Sequence, residues 1–151
     1  EAFRRQGTDH VIYGDIFLED LRKYRDVLLE KAGMKGVYPL WKEDTKKLIN
    51  EFLKSGFKTI TCCVNDAFLN ERWAGREVNE KFLQELPEEA DVCGENGEFH
   101  TFCYAGPIFK QEIKFAIGEK IYKPLEIKTS DCNLPASKTQ GFWYCDLYPI
   151  S

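Results

Sequence analysis

The run from Phe57 to Val64, nearly all apolar or β-branched, is the feature that most narrows the folds open to this chain. A strand with one wet face alternates polar and apolar residues, so an almost continuous run predicts a strand buried on both faces. The segments before it alternate in type. His10–Tyr13 is a short β-rich run ending at Gly14-Asp15, and Leu18, Leu21, Tyr24, Arg25 and Leu28 then recur at helical spacing as far as Gly33. Val37–Leu40 reads as extended. Asp44 reads as the N-cap of a helix with Leu48, Ile49, Phe52 and Leu53 on one face, stopped by Gly56. Strands alternating with helices predict α/β architecture, with a parallel sheet and right-handed crossovers.

The texture changes after Val64. Glu77–Leu86 reads as a short helix ended by Pro87, and Glu85–Glu98 then carries six carboxylates with no Lys or Arg. From Phe99 onward short β-like runs follow, at Phe99–Tyr104, Glu112–Ile117, Tyr122–Thr129 and Gly141–Leu147, separated by Gly, Pro, Asn and Ser. These predict a small β-rich second unit.

The chain has 151 residues, a net charge of −4, and 43% hydrophobic and 30% charged residues, in the range of a globular protein of one or two domains. No apolar stretch approaches the ~20 residues that span a bilayer, and no secretory signal is visible, so a cytoplasmic, membrane-free protein is expected. The acidic balance offers no footprint for direct nucleic-acid binding. The chain opens on Glu1, and its single methionine is Met34. Together with Glu1–Gln6, which reads as the last turns of a helix closed by Gly7, this leads us to expect that sequence upstream is missing.

Six cysteines (Cys62, Cys63, Cys93, Cys103, Cys132, Cys145) are expected to be free thiols in a reducing compartment. A zinc site from Cys93, His100 and Cys103 with Cys132 or Cys145 is the minority reading, because no C-x-x-C pair exists. No phosphate-binding glycine loop, H-E-x-x-H or G-x-S-x-G occurs. The densest polar cluster is Cys93-Gly94-Glu95-Asn96-Gly97-Glu98-Phe99-His100-Thr101. Its glycines free the backbone while Glu95, Glu98 and His100 supply acid, base and hydrogen-bonding groups. If this stretch is extended, Glu98 and His100 project to one face; the alternative is an exposed hairpin turn. Asp15, beyond the carboxyl end of a strand, reads either as a ligand-facing residue or as a turn or N-cap aspartate. Phe142-Trp143-Tyr144 reads as core packing or as an aromatic surface for a cation.

Several strings then coincide in order: Gly14-Asp15-Ile16 with Glu19-Asp20-Leu21-Arg22, Tyr38-Pro39-Leu40-Trp41, Gly94–Thr101, and Gly106-Pro107-Ile108-Phe109. Together they resemble the diphthine–ammonia ligase (diphthamide synthase) family of ATP pyrophosphatases over nearly the whole chain, with Gly94–Thr101 the most diagnostic segment. The resemblance implies a partial doubly wound, Rossmann-like parallel sheet of the adenine nucleotide alpha hydrolase type, lacking its N-terminal phosphate-loop half. A small β-rich α+β C-terminal domain would follow. Residues 1–73 would be the second half of the nucleotide-binding domain, and 74–151 the substrate-binding domain.

The implied reaction is ATP-dependent amidation. ATP with Mg²⁺ adenylates the carboxylate of diphthine on translation elongation factor two, and ammonium supplies the nitrogen. On this resemblance Glu95, Glu98 and His100 are the candidate catalytic residues; Gly94, Asn96, Gly97, Thr101 and Trp143 line the substrate, and Gly14 and Asp15 line the nucleotide. No residue is assigned to a metal. This stretch alone is not expected to activate ATP. Two other readings stay open: the same reaction class on another carboxylate or metabolite, and a non-catalytic binding domain. A truncated sheet would leave an open edge and apolar faces that favour self-association.

Overall fold

A computed structural model of the chain describes residues 2–125 and 139–150. They form two compact units, Glu1–Leu48 and Ile49–Ser151, whereas the resemblance placed a division near Trp73. Both units mix helix and sheet, and no helix among the described residues is long and apolar enough to cross a membrane.

The first unit opens with a short helix, α1 (Ala2–Arg5), and is otherwise built on one strand–helix–strand motif. Strand β1 (His10–Ile12) pairs in parallel with β2 (Lys35–Val37), in the register His10↔Lys35, Val11↔Gly36, Ile12↔Val37. Helix α2 (Glu19–Lys31) connects them, with Glu19 and Asp20 in its first turn and Lys31 in its last, charges that complement the helix dipole. The parallel crossover is therefore as expected here. Its strands are shorter than expected, and β2 precedes Tyr38-Pro39 instead of including it, since proline cannot donate to a ladder. Leu29 is the helix's buried residue, while Tyr24, Val27 and Leu28 remain exposed.

The second unit is a four-stranded antiparallel sheet in the order β4-β3-β6-β5, with β3 Lys58–Asn65, β4 Phe99–Ala105, β5 Phe115–Pro124 and β6 Gly141–Pro149. The strand expected to continue the parallel sheet, Phe57–Val64, lies here. It pairs antiparallel with β4 (Val64↔Phe99, Cys63↔His100) and with β6 (Val64↔Trp143, Cys63↔Tyr144). Parallel pairing among the described residues is thus confined to the two strands of the β1–α2–β2 motif. A continuous apolar run reports burial on both faces and does not specify strand direction.

Strand β3 has neighbours on both edges along most of its length. Where β6 diverges, residues 75–78 take its place: Thr61 N–H donates to Arg76 O at 2.9 Å, Gly75 N–H to Thr61 O at 2.8 Å, and Val78 N–H to Thr59 O at 2.9 Å. Helix α3 (Thr45–Lys54) is capped by Asp44, whose side chain accepts from Lys47 N–H at 2.7 Å, the role its sequence position predicts. Helix α4 (Glu80–Glu85) is capped in the same way by Asn79, which accepts from Phe82 N–H at 3.0 Å.

The main core gathers Val64, Leu69, Trp73, Val78, Phe82 and Phe99. Phe82 is its hub, edge-on to Trp73 at 5.0 Å and to Phe99 at 5.5 Å, and fully buried. Phe82→Ala removes both contacts and leaves a cavity, so urea denaturation should show a loss of about 3–5 kcal/mol. A loss below about 1 kcal/mol would place the core elsewhere.

Candidate functional site

The segment from Asp91 to Glu98 is a tight turn built around its own side chains. Asp91 Oδ1 accepts from Cys93 N–H at 2.9 Å and from Glu95 N–H at 3.3 Å; Gly94 N–H donates to Asp91 O at 2.9 Å, and Gly97 N–H to Gly94 O at 3.0 Å. Gly94 has φ +71°, and a Cβ there would stand 2.8 Å from Phe99 O, so conformation and space both require glycine.

Glu98 closes the turn from beneath. It is fully buried, and its Oε1 accepts from Asp91 N–H at 2.8 Å and from Asn96 Nδ2 at 3.1 Å. Its other oxygen, Oε2, is buried and has no hydrogen-bond partner among the described residues. Asn65, at the end of β3, fastens the turn to the sheet: its N–H donates to Glu98 O at 2.8 Å, and its Nδ2 donates to Gly97 O at 3.4 Å. Asn65 Oδ1 accepts from Ala67 N–H at 3.0 Å.

The structure therefore brings Gly94, Glu95, Asn96, Gly97 and Glu98 together in one turn. It separates Glu98 from His100 and Thr101, which are exposed on β4. The expected common face for Glu98 and His100 is not formed, because Glu98 precedes the strand and turns inward under the loop, so strand alternation does not extend to it. Trp143 is half-buried, packs against the main core and lies 5.1 Å from the ring of Tyr122. The neighbouring Tyr144 ring carries Lys123 Nζ at 5.0 Å.

In the first unit Asp15 is buried, and its Oδ2 faces Arg25 Nη1 at 3.2 Å in an ion pair that lacks hydrogen-bond alignment. It is not an N-cap: α2 starts after Leu18, with no side-chain cap. Arg25 also lies 4.4 Å over the Tyr13 ring, which stacks on Tyr38 at 5.4 Å, while Arg22 sits 4.5 Å over both Tyr38 and Trp41. Tyr38 donates to Asp26 at 2.8 Å, and burial with the Asp26 carboxylate pushes its phenol up to about 12. Gly14 has open space where a Cβ would stand, so packing among the described residues does not itself require glycine there. A divalent metal fits less well, because no group of three or more His, Cys, Asp or Glu side chains gathers among the described residues. Cys132, one candidate zinc ligand, lies outside them.

Asp66 carries a role that motif reading missed. Its Oδ2 accepts from Tyr122 OH at 2.7 Å and its Oδ1 from Gln140 N–H at 2.9 Å, while its own N–H donates to Gly141 O at 3.2 Å. The only signal in the sequence was a polar Asn65-Asp66 pair ending an apolar run. Burial raises the Asp66 carboxyl, but the hydrogen bonds from Tyr122, Gln140 and its neighbours more than offset this and hold it below the ordinary range. A lowered folded value contributes stability that is present above the unfolded value, near 4, and is lost as pH falls through the folded one. Asp66→Asn should therefore be less stable than wild type at neutral pH, with a gap that narrows below about pH 4 in denaturation curves. A gap unchanged with pH would contradict the role given to the carboxylate.

The diphthamide synthase C-terminal domain family model matches residues 44–130. A diphthine–ammonia ligase of Schizosaccharomyces pombe is 32% identical over 88 residues, covering 56% of this chain and 14% of that protein. A diphthine–ammonia ligase of Danio rerio is 34% identical over 111 residues, covering 70% of this chain and 44% of the relative. The chain thus spans less than half the length of these curated relatives. The family match contains the whole Asp91–Glu98 turn and Asn65, which fastens it to the sheet, and on it the chain belongs to the diphthamide synthase C-terminal domain family.

Proposed function

We propose that this chain is the C-terminal part of an ATP-dependent amide ligase that converts a carboxylate to its amide with ammonia. Diphthine on translation elongation factor two is the substrate this reading favours. The observation that carries it is the turn over Glu98: a buried carboxylate with one oxygen spare, set beneath a glycine-opened backbone, inside the segment shared with diphthine–ammonia ligases. The exposed β1–α2–β2 motif supports reading the first unit as a piece of a larger, Rossmann-like nucleotide-binding sheet, since Tyr24, Val27 and Leu28 stand uncovered on its helix. The cytoplasm, where elongation factors work, is the matching location.

ATP would supply the activation that turns a carboxylate oxygen into a leaving group, and Gly14 and Asp15 are the residues of this chain that would lie beside it. Magnesium would accompany the ATP phosphates, and no group of three or more His, Cys, Asp or Glu side chains gathers for it among the described residues. In the second unit Glu98 acts mainly by position: it fixes Asn96 through Oε1 and keeps Oε2 as an acceptor for a cationic or N–H group. Glu95 in the turn and His100, exposed on β4, would hold ammonium and take up its proton, because only neutral ammonia attacks an acyl carbon. Thr101 stands exposed beside His100 as a hydrogen-bonding group, and Trp143 offers an aromatic face for the quaternary ammonium of diphthine.

In the full-length enzyme, Glu98→Gln keeps the shape and removes the charge, and should lower kcat by roughly tenfold or more with elongation factor two bearing diphthine. Wild-type turnover would remove the Glu98 charge from the reaction. Trp143→Ala should raise the KM for the same substrate with a smaller effect on kcat. An unchanged KM would take Trp143 off the substrate surface. No turnover of diphthine by the wild-type enzyme, with amidation of another carboxylate, would keep the reaction class and replace the substrate.

A further inference from the structure

The second unit holds a cavity of about 360 Å³ that the ligase reading does not use. Phe102, Phe115 and Leu147 supply apolar walls, Lys114 and Asp146 stand at it, and Cys62 and Cys145 both line it. Cys62 is half-buried and Cys145 is 4% exposed, and both are free thiols. They belong to adjacent strands. The β3–β6 ladder runs Asn65↔Phe142, Val64↔Trp143, Cys63↔Tyr144 and ends there, so Cys62 and Cys145 are the first residues past its end, one on each strand. A disulfide accepts Cα atoms roughly 4.4–6.8 Å apart, a separation that neighbouring residues at the end of an antiparallel ladder reach with a small shift.

The surroundings separate this pair from the other thiols. Cys63, next in sequence, is paired with Tyr144 across the ladder and interacts with its phenol. Cys103 lies opposite Thr59, three residues from Cys62, and its thiol leans on Ala105 O at 3.6 Å. Cys62 sits at a bulge in β3, between Thr61 and Cys63, where its thiol makes one long contact of 3.5 Å to His100 O. A bulge leaves the residue outside the regular ladder, and so weak a contact gives way when χ1 rotates. Cys145 is held by a 3.7 Å contact to Asp146 O and packs against Gly75. Burial raises the Cys145 thiol, Lys120 pulls it down, and thiolate charge at Cys62 is felt there as well, which places the two sulfurs in one electrostatic neighbourhood.

We propose that Cys62 and Cys145 form a reversible thiol–disulfide pair that a peroxide closes across the β3–β6 seam. Cys62, the more accessible of the two, attacks the peroxide: an S–O bond forms, the O–O bond breaks, and water leaves as the sulfenic acid appears. The Cys145 sulfur then attacks the Cys62 sulfur, the S–S bond forms, and the sulfenic oxygen leaves as a second water. Two thiols and one hydrogen peroxide give one disulfide and two waters. A dithiol reductant reverses the change. The bond would tie β3 to β6 a few residues before Asn65 and Asp66, the two residues that anchor neighbouring loops at the end of β3.

The test is peptide mapping of the native, full-length protein after treatment with a small molar excess of hydrogen peroxide. The expected result is a cross-link between peptide 59–72 and the peptide containing Cys145, lost on treatment with dithiothreitol, retained in Cys63→Ser and abolished in Cys62→Ser. Since Cys62 is half-buried, that variant probes the pair without opening the core; Cys145→Ser serves as a second probe. A cross-link retained in Cys62→Ser would overturn the proposal. So would Cys62 reaching sulfinic acid while Cys145 stays a free thiol.

Discussion

A carboxylate enclosed by protein, at Glu98, is the constraint around which the candidate site is built. Removing a charged oxygen from water costs several kcal/mol unless hydrogen bonds replace the lost hydration. Here the Asp91 N–H and the Asn96 amide supply that replacement for one oxygen, and neither can do so unless the turn closes over the glutamate. Closure in turn requires the backbone to double back at Gly94, where a side chain would strike Phe99 O. The buried acid, the glycine and the polar tip are parts of one solution, and the acid fixes the polar half of a loop whose Val92 and Cys93 already pack against the core.

The sheet gives this turn its place. Asn65 and Asp66 are consecutive at the end of β3, and they face different tasks: Asn65 binds the Asp91–Glu98 turn, while Asp66 binds Tyr122 and the backbone of Gln140 and Gly141. Two segments distant in sequence are therefore registered against one strand end by two adjacent polar side chains. The strand itself is held by neighbours on both edges and by the core under Val64 and Phe99, so the anchor is as rigid as the fold allows. A site on such an anchor keeps its geometry better than one on a free loop.

Much of the first unit was legible because its signals are local. Helical spacing from Leu18 to Leu28, Asp44 as a cap and glycines after α2 and α3 each act within one or two turns, and the structure shows the corresponding helices. Strand pairing is not local. Phe57–Val64 announced a buried strand, but whether its neighbours run parallel or antiparallel depends on β4 and β6, which lie far along the chain. Parts of the runs read separately as Glu112–Ile117 and Tyr122–Thr129 join into β5, because a register shift between Ile117 and Lys120 absorbs the polar Gly118-Glu119-Lys120 interruption; residues 126–129 of the second run lie outside the described residues. The polar cluster from Gly94 to Thr101 was visible as chemistry, but its internal arrangement was not. Nothing in the spacing of Glu98 and His100 shows that one turns inward while the other stays in solvent.

Hydrogen exchange at the Asp91 amide tests the central claim most directly, because that N–H donates to the buried Glu98 carboxylate. Compared in the full-length protein with Glu98→Leu, which removes the acceptor while keeping a side chain in place, the Asp91, Gly94 and Gly97 amides should exchange up to roughly tenfold faster in the variant. Amides of β3 such as Thr61 should keep their protection. Equal protection of Asp91 in both proteins would show that the turn holds its shape without the carboxylate, and the account built on Glu98 would fail.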